Sequence, residues 1–215
     1  MKPIPDEPER AYAEALSKGD PEAGRYSRLI SFKKALYRRD LEEAEHFADD
    51  EVLKRFLADL KEERLEPWLE EGPRFLRAEA WVKRGARLAE EGDLEGAKKA
   101  LLRARELYPR HPRALVNLGN LELEAGRTDE AIALYQEALK IDPELADAHH
   151  NLAVAYKKKG DIDRMVRHLK RSQRLYLYPP KESLGRRGGT PPIYTRFWFW
   201  LLVGAAAYYL LWGRG

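Results

Sequence analysis

Five histidines are the side chains of this 215-residue chain best suited to metal or acid–base chemistry: His46, His111, His149, His150 and His168. The adjacent His149 and His150 point to different sides of a helix, and no carboxylate or histidine lies at a metal-binding spacing from either. Cysteine is absent, which excludes disulfides and thiolate metal sites. No glycine-rich phosphate loop, nucleophile elbow or metalloprotease motif occurs. The sequence therefore predicts a protein that is not an enzyme and binds no metal and no cofactor.

The overall charge argues against nucleic acid as a partner. Lys and Arg number 39 and Asp and Glu number 36, which leaves a net charge of +3. Nucleic-acid-binding domains carry a larger basic excess, because they must neutralise phosphates. The composition therefore predicts no nucleic-acid binding.

The side chains that remain are organised by a pattern that occurs three times at a spacing of 34 residues. The blocks begin at Ala78, Pro112 and Ala146 and align without a gap: AEAWVKRGARLAEEGDLEGAKKALLRARELYPRH, PRALVNLGNLELEAGRTDEAIALYQEALKIDPEL and ADAHHNLAVAYKKKGDIDRMVRHLKRSQRLYLYP. Each block contains two stretches with apolar residues at helical spacing. A fixed period of this length indicates helical hairpins that stack on one another, because one hairpin cannot bury its apolar face alone.

A glycine separates the two predicted helices of each block: Gly92, Gly126 and Gly160. Glycine takes positive φ freely and therefore suits a helix end. Asp93 and Asp161 follow as the expected N-caps of the second helices, and Thr128 is expected to cap the second helix of the middle block. Small residues on the first helices are expected to let the paired helices approach closely: Gly85, Gly119 and Ala153.

These positions resemble the signature of the tetratricopeptide repeat, a helix–turn–helix unit of 34 residues. The first block carries Trp81, Gly85, Leu88, Gly92, Ala97, Leu101, Ala104 and Pro109 at the signature places. The second block carries Leu115, Leu118, Gly119, Gly126, Ala131, Tyr135, Ala138 and Pro143. The third is looser, because Met165 and Ser172 replace expected alanines and its proline arrives late, at Pro179. The resemblance implies an all-α, right-handed superhelical solenoid with repeats at 78–111, 112–145 and 146–178.

Residues 1–77 are predicted to be helical without following the 34-residue period. Asp20 followed by Pro21 is typical of a helix start, and Asp40–Ala44 (DLEEA) resembles Asp93–Ala97 (DLEGA). Two interpretations are open. The segment is either a helical cap or a set of degenerate repeats that protects the first repeat, or it is an independent functional domain.

The resemblance also implies a concave groove lined by the first helix of each block. The predicted groove residues are Val82, Lys83, Ala86, Arg113, Val116, Asn117, Asn120, His150, Asn151, Val154 and Lys157. Asn117 and Asn151 occupy the same place one period apart, and in some tetratricopeptide proteins stacked asparagines hold the backbone of an extended peptide. Val82 and Ala86 stand where chaperone-binding members need a lysine and an asparagine, so capture of chaperone C-termini is disfavoured. We expect a protein or peptide partner here; the alternative is that both asparagines are only surface filler.

Residues 162–178 are expected to form the last helix, which is strongly basic: Arg164, Arg167, His168, Lys170, Arg171 and Arg174. Contact with anionic headgroups or an acidic partner is one interpretation. A solvated outer face of a capping helix is the other.

The C-terminal part of the chain predicts a linker followed by a membrane span. Residues 179–192 contain four prolines and three glycines, which is typical of a linker. Residues 193–212 are apolar except for Arg196, Tyr194 and Thr195, and about twenty residues suffice for a helix to cross the bilayer. A soluble core helix, or a helix docked in the groove, explains this segment less well, because it is apolar on every face.

Basic residues flank the predicted span unequally. Lys181, Arg186, Arg187 and Arg196 precede it, whereas Arg214 alone follows it. By the positive-inside rule the repeats are expected in the cytoplasm, and the first residues have no apolar core typical of a signal peptide. The sequence therefore predicts a single-pass, tail-anchored protein of a bacterial inner membrane whose C-terminal helix contacts lipid.

Together these features predict a membrane-tethered scaffold that binds a protein or peptide partner at the cytoplasmic face. In one alternative, the chain is an accessory or assembly subunit of a larger membrane complex, with its tail packed against other spans. In another, it is a non-catalytic regulatory partner of an enzyme.

Overall fold

The computed structural model of the chain describes residues 3–178, which form helices joined by short turns and contain no strand. The α-helices are α1 (Pro8–Lys18), α2 (Ala23–Tyr37), α3 (Leu41–Phe47), α4 (Glu51–Lys61), α5 (Arg74–Glu90), α6 (Leu94–Leu107), α7 (Pro112–Glu124), α8 (Thr128–Ile141), α9 (Ala146–Lys158) and α10 (Ile162–Leu177). A 3₁₀ turn at Glu66–Leu69 lies between α4 and α5. The predicted all-α class is confirmed for the described residues.

The three blocks form three helical hairpins: α5 with α6, α7 with α8, and α9 with α10. Neighbouring hairpins pack through α6 against α7 and α8 against α9, and the first helices α5, α7 and α9 also contact one another in turn. The first helix of the first block begins at Arg74, four residues before the block that the period defines. The period therefore predicts the hairpins correctly, although it misses the start of α5.

The turn and packing predictions for the blocks are confirmed except at Thr128. Gly92, Gly126 and Gly160 all have positive φ, between 75° and 87°. The carboxylates of Asp93 and Asp161 accept hydrogen bonds from backbone N–H groups in the first turns of α6 and α10. Thr128 does not cap α8, because it is already the first helical residue and no side chain caps that helix.

The small residues on the first helices bring the paired helices into close contact. A Cβ atom added at Gly119 would lie 2.5 Å from Cε1 of Tyr135, and one added at Gly85 would lie 2.8 Å from Cγ of Leu101. Both distances are shorter than carbon–carbon contact allows. Glycine at these positions therefore permits the large side chains of α8 and α6 to fill the hairpin interior.

The N-terminal helices share a hydrophobic core with the first repeat. Phe32 of α2, Phe56 of α4 and Trp68 of the 3₁₀ turn are buried in the same cluster as Phe75 and Leu101. A second cluster joins the second and third repeats. This shared core joins α2 and α4 to the first repeat. The choice between a cap or degenerate repeats and an independent functional domain stays a prediction.

The predicted linker (179–192) and the predicted span (193–212), with Lys181, Arg186, Arg187 and Arg196, lie outside the described residues. Within residues 3–178, none of the helices is both long and apolar enough for a membrane crossing. The tail anchor therefore stays a prediction from the sequence.

Candidate partner-binding groove

The C-terminal end of α2 lies against the turns that lead into α7 and α9. Tyr37 packs its ring against His111, with 4.3 Å between the ring centroids. The Arg38 guanidinium donates two hydrogen bonds of 3.0 Å to the carboxylate of Asp142, and it also pairs with Glu144 at 3.3 Å. Such a forked pair fixes the position of both groups, because each nitrogen of the fork meets its own oxygen.

Lys33 makes the contact between α2 and the end of α6. The side chain is 4% exposed, and its ammonium donates to the Tyr108 hydroxyl at 2.6 Å and to the Glu9 carboxylate of α1. The ammonium also lies 4.8 Å from the centroid of the Tyr108 ring. Burial lowers the pKa of Lys33, whereas the hydrogen bond and charge of Glu9 oppose that effect. The first two helices are therefore joined to the repeats by a buried cation.

Three predicted groove residues belong to the protein interior. Val82 is 0% exposed, Val116 is 4% exposed and Arg113 is 7% exposed. Val82 enters the core that α2 and α4 also build, Val116 enters the core of the second and third repeats, and Arg113 is bonded to a buried carboxylate. The expectation that these three side chains face an open groove is therefore wrong, because other side chains already cover them.

The buried carboxylate is that of Glu79 on α5, which is 1% exposed. It accepts hydrogen bonds from the Arg113 guanidinium and, at 3.1 Å, from Nε2 of His111. The Nδ1 atom of His111 accepts the backbone N–H of Ala114, so the ring proton lies on Nε2. Burial alone would raise the pKa of Glu79, but the charge of Arg113 and the bond from His111 lower it overall. Burial lowers the pKa of His111, and the neutral imidazole serves as a donor here.

The other predicted groove residues keep accessible surface. His150, Val154 and Lys157 are exposed, and Lys83, Ala86, Asn117, Asn120 and Asn151 are half-buried. The Lys83 ammonium pairs with Glu63 at 3.3 Å. The part of the groove that remains open is therefore formed mainly by α7 and α9.

Two carboxamides, those of Asn120 and Asn151, meet in this open part of the groove, and Asn117 lies one turn before Asn120 on α7. Nδ2 of Asn151 donates to Oδ1 of Asn120 at 2.8 Å, and the same oxygen accepts the Tyr135 hydroxyl at 2.8 Å. Nδ2 of Asn117 is hidden from solvent and has no hydrogen-bond partner among residues 3–178. Asn151 is therefore bonded to Asn120, while Asn117 keeps unused hydrogen-bonding capacity. The binding of peptide backbone by Asn117 and Asn151 stays a prediction.

Comparisons with known proteins identify the repeats. A model described as "TPR repeat" matches residues 119–160, and models described as "Tetratricopeptide repeat" match residues 88–134 and 146–177. Residues 88–177 are tetratricopeptide repeats. Such repeats are typically protein-interaction modules with a concave binding surface and without catalytic activity.

A curated relative from Arabidopsis thaliana, named probable UDP-N-acetylglucosamine–peptide N-acetylglucosaminyltransferase SEC, is 39% identical to this chain over 74 residues. The match covers 33% of the chain and 8% of that protein, so the chain spans less than a tenth of the relative's length. Among solved structures, the crystal structure of MamA is 22% identical, with 77% of this chain and 94% of that chain covered and a TM-score of 0.44. The MamA RS-1 ArsTM double mutant is 19% identical, with coverages of 81% and 95% and a TM-score of 0.45.

Glu79 was missed among the groove residues, although the tetratricopeptide period contains a signal for it. Glu79 and Arg113 occupy the same place in adjacent repeats, 34 residues apart. First helices of neighbouring repeats lie side by side, so opposite charges one period apart are placed to form a pair. The burial of that pair has no such signal, because it depends on side chains outside the two repeats.

His149 packs between the turn that precedes α9 and the side chains of α10. Its Nε2 atom donates to the carbonyl oxygen of Pro143 at 3.1 Å, and its Nδ1 atom lies 3.0 Å from Nδ1 of His168 on α10. His168 in turn stacks on Tyr156, with 5.6 Å between the ring centroids. Burial lowers the pKa of both imidazoles. Both histidines therefore help to hold α9 against α10.

Proposed function

We propose that this chain is a membrane-tethered scaffold whose repeats bind an extended segment of a protein partner. The observation that supports it most directly is the bond between Asn120 and Asn151 in the part of the groove that is still accessible, with Asn117 one turn before Asn120 on α7. A carboxamide offers both a donor and an acceptor, so it binds peptide backbone without reading the side chains. A buried amide without a hydrogen-bond acceptor, such as Nδ2 of Asn117, is unfavourable by roughly 1–3 kcal/mol. After rotation of the Asn117 side chain, a backbone carbonyl of the bound peptide would supply the acceptor and remove this cost.

The accessible groove favours a short segment rather than a folded domain. Val82, Arg113 and Val116 are buried, so an occupant reaches mainly the surface of α7 and α9. The rim is mixed in character, with the exposed Lys157 beside the exposed Val154. We therefore expect an extended peptide held through its backbone, with weak selection for its side chains.

The peptide site is tested with a phage library of 12-residue peptides selected on the full chain in mild detergent. The variant Asn117→Ala/Asn151→Ala is expected to weaken the selected peptides by about tenfold or more, which corresponds to about 1.4 kcal/mol. Gln136→Ala is the matched control, because it also removes one side-chain hydrogen bond, to the Tyr156 hydroxyl at 3.1 Å, but lies on α8. Equal affinity of the double variant and the control would reject the groove.

The membrane tether is tested by deleting residues 193–215, all of which lie outside the described helices. The predicted span and its basic flank support the proposal that this segment anchors the repeats at the cytoplasmic side of a bacterial inner membrane. We expect the truncated chain to move to the soluble fraction with unchanged helicity. A truncated chain that stays with the membrane would contradict the tail as the sole anchor, and stoichiometric membrane proteins that co-purify with the full chain would favour the accessory-subunit alternative.

A further inference from the structure

Among the described residues 3–178, the last helix, α10, has one face that no other helix covers. Ser172 and Leu175 of α10 are buried, whereas Ile162, Val166 and Leu169 follow each other at i, i+4 and i+7 on an adjacent face. Ile162 is 56% exposed, and Val166 and Leu169 are half-buried. This apolar stripe continues at the end of the helix to Leu177, which is 73% exposed.

The preceding repeat shows what normally covers such a face. Val166 corresponds, 34 residues earlier, to Ile132 of α8, which is 8% exposed. α8 packs against α9 of the following repeat. No described helix follows α10, so the apolar stripe needs another occupant.

A basic stripe runs beside the apolar one. Arg167, Lys170 and Arg174 are exposed and share one side of α10, and α10 contains no carboxylate after Asp163. None of these three side chains forms a salt bridge with a carboxylate among residues 3–178. The uncovered surface of α10 therefore combines exposed aliphatic side chains with unpaired positive charge.

We propose that this surface of α10 lies on an anionic membrane. An amphipathic helix with Lys and Arg beside an apolar face binds in the headgroup region, where aliphatic side chains leave water and cations meet lipid phosphates. The chain position agrees, because α10 ends at Leu177 and the predicted span begins at residue 193. A second copy of the chain fits less well, since a twofold contact between α10 helices would bring the two basic stripes together. The inference rests on the proposed tether and adds that the last repeat itself contacts lipid.

The test uses the full chain, which has no native cysteine. An environment-sensitive NBD dye is attached through Ile162→Cys on α10 or, as the matched control, through Leu102→Cys on α6, whose native side chains are 56% and 41% exposed. The labelled proteins are reconstituted into phosphatidylcholine vesicles with or without phosphatidylglycerol. We expect a blue shift and quenching by headgroup nitroxide lipid for the α10 label in the anionic vesicles, and neither change for the α6 label.

Charge is tested in the same vesicles with the variant Arg167→Gln/Lys170→Gln/Arg174→Gln. Each basic side chain at an anionic surface strengthens binding by roughly fivefold, so the three together are expected to shift the ratio of docked to undocked α10 by about 100-fold. High salt is expected to have the same effect on the wild-type chain.

Vesicle flotation separates this inference from the tether. Chains that float with the vesicles while the α10 label stays unchanged would overturn the membrane contact of α10 and leave the tether standing. Chains that do not float with either vesicle would overturn both. A blue shift that occurs without vesicles and rises with protein concentration would assign the face to self-association instead.

Discussion

Replacing Glu79 by Ala is expected to lower the free energy of unfolding by roughly 3–5 kcal/mol, because it leaves a buried cation without its partner. Arg113 is 7% exposed and Glu79 is 1% exposed, so water cannot take the place of the carboxylate. The substitution also removes the acceptor of the His111 Nε2–H, which is fully buried. A single carboxylate thus satisfies two groups at the boundary of the first and second repeats.

The double variant Glu79→Leu/Arg113→Leu separates the effect of an unpaired buried charge from the effect of lost side-chain volume. It removes both charges and replaces them with apolar volume, so we expect it to recover much of the loss, as apolar replacements of buried ion pairs often do. Glu79→Gln is expected to fall between the wild type and Glu79→Ala, because it keeps an acceptor for His111 but loses the charge that balances Arg113.

Urea denaturation in mild detergent, followed by far-UV circular dichroism, measures these free energies. A loss below about 1 kcal/mol for Glu79→Ala would place the pair in the range of exposed salt bridges and refute the reasoning from burial. The single variants Glu79→Leu and Arg113→Leu complete the comparison. If the double variant lost as much unfolding free energy as the two single variants together, the charges would not act as a pair.

Two further predictions concern packing and pH. Gly119→Ala is expected to destabilise the fold by about 1–3 kcal/mol in thermal melts, since the new Cβ would lie 2.5 Å from Tyr135. Gly24→Ala, where the new Cβ meets no atom within 4 Å, is expected to stabilise the fold by about 0.5–1 kcal/mol. Stability changes of the same sign for both variants would contradict the packing argument. Lowering the pH below the ordinary histidine value of 6.5 is expected to destabilise the fold, because burial lowers the pKa of His149 and His168 and the unfolded chain binds more protons. The variant His149→Gln/His168→Gln is expected to show a weaker dependence of the denaturation midpoint on pH between about pH 7 and 5. An unchanged pH dependence would exclude the two histidines as its source.

The hairpins, their turns and their close packing were predictable from the sequence because they depend on residues within one period. Gly119 and Tyr135 are 16 positions apart within one hairpin, and the repeated glycines mark each turn whatever surrounds it. The capping error at Thr128 is of the same local kind, because a shift of one residue at a helix start moves a side chain from the cap into the helix.

What the sequence alone determined is the repeated unit, the family of the repeats and the surface on which an extended partner is expected to bind. Only the tertiary structure decided which part of that surface is open. Arg38 meets Asp142 across 104 positions and Lys33 meets Tyr108 across 75, and neither pairing follows a period. Val82, Arg113 and Val116 became interior residues because burial depends on which distant side chains fill the remaining space, whereas a 34-residue period specifies only contacts between neighbouring repeats.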